Sequence, residues 1–89
     1  MISFDIVVSG KVQGVWFRRF VLKQALKHNI SGYVKNRDNG DVFIKAFGSK
    51  INMNRFVKFV TKGNLFSRVK SVQTFTTSVD KEIKGFFIR

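Results

Sequence analysis

A glycine-rich segment near the N-terminus carries the residues best suited to binding an anion. It reads Gly10-Lys11-Val12-Gln13-Gly14-Val15-Trp16-Phe17-Arg18 and joins a strand pattern to a helical one. Glycines let a backbone bend sharply and approach a ligand closely. The N–H groups that open a helix lack intrahelical acceptors and attract phosphate, and a guanidinium at Arg18 can bind the same group in a bidentate way. The segment therefore predicts a phosphate site.

Spacing alone leaves a second interpretation open, which is an ordinary tight turn between a strand and a helix with Arg18 in solvent. The segment is not a Walker A loop, because three residues separate Gly10 from Gly14 and no Lys-Ser or Lys-Thr pair follows. It is not a dinucleotide fingerprint either. Other catalytic chemistry is poorly represented, since one His, no Cys and five Asp and Glu leave no obvious general base or metal cluster.

Hydrophobic spacing predicts the elements that must position this segment. Alternating apolar residues indicate strands, and apolar residues four apart indicate helices. The expected order is a strand over 4–8 that ends near Gly10, a helix over 16–27, strands over 33–36 and 42–46, a helix over 53–60, and strands over 69–77 and 83–88. The turn signal Asp38-Asn39-Gly40 joins the second and third strands into a hairpin.

The helices carry signals of their own. Phe17, Val21 and Ala25 form the apolar face of the first helix, with Leu22 and Leu26 beside them.

The helix ends are also marked in the sequence. Asn29 stands where a helix often ends in a left-handed residue. Ser49 is a plausible N-cap for the second helix, and Gly63 is a natural stop.

This order predicts an α+β fold of the ferredoxin-like type. Split β-α-β units form a mostly antiparallel sheet with two helices on one face, and here a short C-terminal strand is added. A doubly wound parallel sheet does not fit, because the connection between 36 and 42 is too short for a crossover. Without prolines, repeats or a linker, residues 1–89 are expected to form a single domain.

Charge indicates an anionic partner without identifying it. Seventeen Lys and Arg face five Asp and Glu, a formal charge of +12. Such a field attracts phosphorylated metabolites, nucleic acid or acidic membranes, although a solvated basic surface with no partner is equally compatible. No apolar run reaches the length of a membrane span and the N-terminus does not read as a secretory signal, so a cytoplasmic location without membrane contact is expected.

Two longer motifs resemble the signatures of a known protein family. The segment ending at Arg18 resembles the acylphosphatase signature of a glycine, Val-Gln-Gly-Val, a variable residue, an aromatic and an arginine. A second signature of that family is similar to Gly32-Tyr33-Val34-Lys35-Asn36-Arg37-Asp38-Asn39-Gly40-Asp41-Val42. Ser67-Arg68-Val69 and Phe86-Phe87-Ile88-Arg89 fit as well, so the similarity extends over essentially the whole chain.

The resemblance implies a metal-free hydrolase of small acyl phosphates that needs no cofactor. It implies that Arg18 binds the phosphate and stabilises transition-state charge, and that Asn36 orients the attacking water. It also implies that backbone amides surround the phosphate oxygens, namely those of Gln13, Gly14, Val15, Trp16, Phe17 and Arg18. High charge disfavours self-association, so a monomer is expected.

Some residues depart from the family pattern. His28 occupies a position where relatives usually carry an apolar residue, and we expect it to lie partly exposed at the helix end rather than to act as a base. Tyr33 replaces a more usual Trp, which is a conservative change. The chain stops at Arg89, and its terminal carboxylate is expected to be able to reach Arg18 and orient it.

Two other functions stay open at this stage. One is a non-catalytic basic ferredoxin-like module that binds nucleic acid through its sheet, with Phe66 as a candidate for stacking on a base. It ranks lower because the sequence lacks the aromatic-rich RNA-recognition signature, and it requires aromatic residues on the open face of the sheet. The other is an accessory domain of a larger enzyme.

Overall fold

The computed structural model describes residues 1–79 and 83–89, and in these the elements follow the predicted order. They are β1 (Ile2–Lys11), α1 (Phe17–Lys27), β2 (Ser31–Asn36), β3 (Val42–Gly48), α2 (Lys50–Lys62), β4 (Arg68–Thr77) and β5 (Phe86–Ile88). No helix in the described ranges has the length and apolar character needed to cross a bilayer.

The strands form one mixed sheet in the order β4-β1-β3-β2-β5. β3 lies at the centre and pairs antiparallel with β1 and β2, and β1 also pairs antiparallel with β4. Only β5, among the described strands, runs parallel to its neighbour β2. This is the predicted ferredoxin-like α+β fold with an added C-terminal strand, and the prediction is confirmed.

The core lies between the two helices and one face of the sheet. Alternate residues of the central strands point toward the helices because successive side chains in a strand face opposite sides. The strands contribute Ile6, Val8, Val34, Val42, Ile44 and Ala46, and the helices contribute Phe17, Val21, Ala25, Met53, Phe56 and Val60. This packing fixes the start of α1 against the carboxyl end of β1, where the glycine-rich segment lies.

The helix ends follow the sequence signals. The Ser49 hydroxyl accepts a hydrogen bond from the Asn52 N–H at 3.1 Å, as expected of an N-cap. Gly63 ends α2 with a φ of 75°, and Asn29 follows α1 with a left-handed φ of 54°. His28 is half-buried at the end of α1, where its Nδ1 donates to the Gln24 carbonyl at 2.8 Å.

Two expectations were wrong in detail. Leu26 is 62% exposed although it was expected beside the apolar face. At 100° per residue it lies about 140° around the axis from Val21, on the solvent side. The last strand covers Phe86–Ile88 rather than 83–88, because Gly85, with a φ of 85°, turns the chain just before the strand begins.

Candidate active site

The glycine-rich segment forms a tight loop between β1 and α1. Val12 is buried and ties the loop to the core. Gly14 and Trp16 then take left-handed backbone conformations, with φ values of 70° and 63°. Left-handed residues within such a turn direct successive N–H groups toward one side, which creates a concave anion-binding surface. The chain enters α1 directly afterwards, at Phe17.

The N–H groups of this loop are available to a ligand. The first main-chain hydrogen bond of α1 is donated by Phe20 to the Trp16 carbonyl at 3.0 Å. For the N–H groups of residues 13–19, no acceptor is found within residues 1–79 and 83–89. Free N–H groups at a helix N-terminus attract phosphate through hydrogen bonding and through the helix dipole. The arrangement is therefore suited to an anion with several oxygens.

Side chains from other elements hold the loop in place. The Gln13 Nε2 donates to the carbonyl oxygens of Arg37 and Asp41, at 2.7 and 2.8 Å. These carbonyls belong to the turn between β2 and β3, so Gln13 joins the loop to the strand end that carries Asn36. On the other side, the Asn64 Nδ2 donates to the Val15 carbonyl at 3.0 Å.

Arg18 is oriented by the C-terminal strand. Its Nη1 donates to the main-chain oxygen of Arg89 at 3.2 Å. Arg89 is held beside β2 because its N–H donates to the Val34 carbonyl at 2.8 Å, which continues the parallel pairing of β5. Residue 89 therefore reaches Arg18 through its main-chain oxygen, whereas orientation of Arg18 by a terminal carboxylate stays a prediction. One guanidinium edge thus contacts the C-terminal strand, and the side chain is half-buried.

Asn36 ends β2 and faces the same cleft as Arg18. The cleft has a volume of about 350 Å³ and is lined by Val12, Gly14, Trp16, Phe17, Arg18, Arg19, Asn36 and Ile88. Parallel pairing of β5 with β2 brings Ile88 opposite Val34, next to the end of β2. The helix start, the loop and the ends of two strands therefore meet at one concave site.

The cleft gathers most of the residues that the sequence singled out. Gly14, Trp16, Phe17, Arg18 and Asn36 all line it. The other two predicted residues, Gln13 and Val15, direct their side chains away from the cleft.

Gln13 uses its side chain to anchor the loop, and Val15 packs against the core. Only their main-chain N–H groups remain for a ligand, and these are the groups that were predicted to bind phosphate. Their roles in binding stay a prediction.

Three residues of the site were missed. Arg19 lines the cleft and its guanidinium lies 5.6 Å from the centre of the Trp16 ring. Ile88 forms part of the wall, and Asn64 anchors the loop from the connection between α2 and β4. Arg19 follows a predicted site residue directly, whereas no local pattern marks Asn64, which acts through a contact 49 positions away in sequence.

The chemistry of the cleft is cationic and amide-based. Its lining side chains include two guanidiniums and one carboxamide, and no His, Cys, Asp or Glu of residues 1–79 and 83–89 is among them. Within the described part of the chain, no group of three or more such side chains is arranged to hold a metal ion. The lining residues can bind an anion and align a neutral polar molecule beside it.

Comparison with known proteins assigns the family. The family model described as Acylphosphatase matches residues 4–88. The chain belongs to the acylphosphatase family. An acylphosphatase of Bacillus licheniformis is 44% identical over 86 residues, which cover 97% of this chain and 92% of that protein. An acylphosphatase of Clostridium perfringens is 40% identical, with 97% of each chain covered.

Solved structures agree with this assignment. The crystal structure of acylphosphatase from Bacillus subtilis has a TM-score of 0.95 and 39% identity, and the match covers 100% of this chain and 99% of that chain. An acylphosphatase from Coxiella burnetii gives a TM-score of 0.93 at 32% identity, over 99% of this chain and 92% of that chain. The chain is therefore an acylphosphatase enzyme, as the two motifs predicted.

The same acylphosphatase fold also occurs within a larger protein. Full-length HypF, in its phosphate- and nucleotide-bound form, matches 99% of this chain with a TM-score of 0.84 and 28% identity. Only 12% of that chain takes part in the match. The relatives of similar length, such as that from Clostridium perfringens, are matched over nearly their whole sequence instead.

Proposed function

We propose that this enzyme hydrolyses the carboxyl–phosphate bond of small acyl phosphates to a carboxylate and inorganic phosphate, without a metal or another cofactor. In this proposal the main-chain N–H groups of residues 13–18 and the Arg18 guanidinium bind the phosphate. Asn36 orients the water that attacks phosphorus. The enzyme is expected to be a cytoplasmic, single-domain monomer.

One observation carries the proposal. The guanidinium of Arg18, the carboxamide of Asn36 and the free N–H groups that open α1 all border the same cleft. A phosphate seated on the N–H groups would lie within reach of both side chains. The contact between Arg18 and Arg89 supports a fixed guanidinium, which loses less entropy on binding than a freely moving one.

The reaction suits a site with these groups. Water forms a bond to phosphorus while the bond from phosphorus to the carboxyl oxygen breaks, and the electron pair leaves with the carboxylate. A carboxylate is a weak base, with a pKa of about 4 for ordinary side-chain carboxyls, so it leaves without protonation. Phosphoryl transfer through a loose transition state demands mainly positioning and charge stabilisation. Arg18 and the N–H groups supply the stabilisation.

Asn36 contributes orientation rather than proton transfer. A neutral carboxamide can accept a hydrogen bond from water and donate another, but it is not a base at neutral pH. The proton released by the attacking water passes to a phosphate oxygen of the substrate itself in this proposal. The products are then a carboxylate and a protonated phosphate, and no protein group changes its charge.

Replacing the two side chains tests the proposal. We expect Asn36→Ala to lower kcat for acetyl phosphate about a hundredfold or more, because water is no longer aligned. The inhibition constant of the Asn36→Ala variant for inorganic phosphate should change little, because Asn36 orients water and does not bind the phosphate in this proposal. Arg18→Ala should lower kcat/KM by about 10²–10³-fold and also weaken inhibition by phosphate, since it removes a direct contact to the charged group.

Matched controls come from α2. Asn54 and Arg55 are exposed there, away from the cleft, so Asn54→Ala and Arg55→Ala should behave like wild type. Wild-type activity should persist in excess chelator. Near-wild-type hydrolysis by either site variant, with the fold intact by circular dichroism, would refute the assigned roles, and loss of activity on chelation would refute metal independence.

A further inference from the structure

The face of the sheet that points away from the helices carries a set of aromatic and basic side chains. We call it the open face. It includes Tyr33, Lys35, Phe43, Lys45, Phe75 and Phe87, with Arg37 and Arg89 reaching over it. Phe75 is 51% exposed and Phe87 is 48% exposed, so the outer strands present rings to solvent.

Strand register aligns these side chains into rows. One row crosses all the strands through Phe75, Asp5, Lys45, Tyr33 and Phe87, each residue paired with the next. With neighbouring strands about 4.8 Å apart, this row spans about 19 Å. A second row next to it contains Gln73, Val7, Phe43 and Lys35. Rings therefore recur across the sheet rather than forming one compact apolar patch.

Cations lie directly over the inner rings. The Arg37 guanidinium is 4.7 Å from the centre of the Phe43 ring, and the Lys35 ammonium is 5.8 Å from the same centre. The Arg89 guanidinium is 4.3 Å from the centre of the Tyr33 ring. All three cationic residues are exposed. Among the residues that the structure describes on this face, the acid is Asp5, which is paired with Lys45 at 2.8 Å, so their excess charge is positive.

We propose that the open face binds single-stranded nucleic acid, by stacking bases on its rings and holding phosphates with its cations. Unpaired bases stack on aromatic side chains and on guanidinium planes, and sheets that bind single strands use such platforms. Phosphates are complementary to the flanking arginines and to a chain with a formal charge of +12.

Other occupants fit this surface less well. A protein partner that buried the rings would also have to desolvate Lys35, Arg37 and Arg89, and burying unpaired charges is costly. A duplex offers phosphates but keeps its base faces inside the stack, so it leaves Phe75 and Phe87 without partners. The single strand is the ligand that satisfies both the rings and the cations.

The proposed surface is separate from the phosphate cleft. The cleft is lined by the β1–α1 loop, the start of α1 and the ends of β2 and β5, whereas Phe43 and Phe75 lie on β3 and β4, on the far side of the sheet from the helices. Arg89 is shared, since its main-chain oxygen contacts Arg18 while its guanidinium lies over Tyr33. Hydrolysis and nucleic-acid binding can therefore be measured independently.

Fluorescence anisotropy with end-labelled oligouridylate and oligothymidylate of about 12 nucleotides tests the stacking. We expect Phe75→Ala to weaken binding at least about fivefold, the effect of losing one stacked base. Phe75→Tyr should bind like wild type because it keeps a ring, whereas Phe75→Leu should bind like the alanine variant. Phe66→Ala removes a ring that is 61% exposed in the α2–β4 connection, and it should change nothing.

The charged part of the surface has its own matched pair. Arg37→Gln should weaken binding and lower the slope of log affinity against log salt by about one, as expected for one lost phosphate contact. Arg55→Gln, which removes the same charge from α2, should leave the slope unchanged. Inorganic phosphate that saturates the cleft should not displace the oligonucleotide when ionic strength is held constant with chloride.

Several outcomes would overturn the proposal. Equal binding by Phe75→Ala and wild type, equal losses in Arg37→Gln and Arg55→Gln, or duplex of the same length binding as tightly as single strands would reduce the interaction to general electrostatic attraction. Displacement by phosphate would move binding to the cleft. Phe75→Ala should hydrolyse acetyl phosphate at the wild-type rate, which shows that the variant is folded.

Discussion

At the scale of single residues, Gln13 connects the two halves of the site. Its side chain donates to carbonyls of Arg37 and Asp41, on the turn that follows Asn36. The main chain of Gln13 lies in the phosphate loop itself. A single side chain thereby links the N–H groups that would hold phosphate to the strand end whose carboxamide would hold water.

Replacing Gln13 tests this positioning role. We expect Gln13→Ala to lower stability by about 1–2 kcal/mol, since two hydrogen bonds of about 1 kcal/mol each are lost. We also expect kcat for acetyl phosphate to fall about tenfold, because catalysis depends on alignment. Gln73→Ala, on exposed β4, is the matched control. Unchanged kcat together with lowered stability in urea would show that Gln13 is purely structural.

The site residues differ in how far the sequence could reveal them. Arg18 and Asn36 belong to contiguous motifs that resemble the acylphosphatase signatures, and that resemblance singles them out. Spacing alone leaves a solvated Arg18 open and gives Asn36 no role. Asn64 acts on the Val15 carbonyl from a distant connection, and that pairing exists only after α2 and β4 have packed on the sheet. A local sequence motif can therefore reveal residues that face a ligand. It does not reveal a residue such as Asn64, which holds the site in position through a long-range contact.

At the scale of elements, β5 links the C-terminal end of the chain to the site. The strand is short, and its attachment to β2 begins where the Gly32 N–H donates to the Gly85 carbonyl at 2.8 Å. Gly32 has a φ of 133°, and a Cβ there would overlap the Lys45 carbonyl group of β3. The close approach of β2 and β3 at this point therefore requires glycine.

Gly32→Ala tests that requirement. We expect it to lower stability by about 2 kcal/mol or more, because the added methyl group meets backbone that cannot move aside and the φ value is strained for alanine. β5 is attached to β2, so a shift of β2 should displace β5 as well. Because Arg89 contacts Arg18, this displacement should loosen Arg18 and raise KM. Urea unfolding and hydrolysis assays measure both effects, with Ser31→Ala as the neighbouring control. A wild-type midpoint for Gly32→Ala would contradict the close approach.

The elements themselves were largely predictable, and the exceptions have local causes. Ser49, Gly63 and Asn29 marked helix ends correctly because capping depends on residues adjacent in sequence. The start of β5 was misjudged since Ile83 continues the apolar pattern, whereas the strand begins only after the turn at Gly85. The pairing of β5 with β2 is a long-range contact that begins at Phe86. The alternation of apolar residues within 83–88 does not show where this pairing begins.

At the scale of the whole molecule, charge should assist the capture of substrate. Seventeen basic residues against five acidic ones create a positive field around a cleft that itself holds Arg18 and Arg19. Such a field speeds the encounter with an anionic substrate and is weakened by salt. It should have less influence on the chemical step, because that step takes place among groups already in contact with the phosphate.

Salt should therefore separate encounter from chemistry. We expect kcat/KM for acetyl phosphate to fall several-fold between about 20 and 500 mM sodium chloride, as the Debye length shrinks to a few ångströms, while kcat changes less than about twofold. Lys35→Gln, at the strand that carries Asn36, should reduce this salt dependence more than Lys58→Gln on α2, although both remove one exposed charge. Equal effects of the two variants would mean that net charge alone governs capture. A parallel fall in kcat would instead mean that chloride competes with groups inside the cleft.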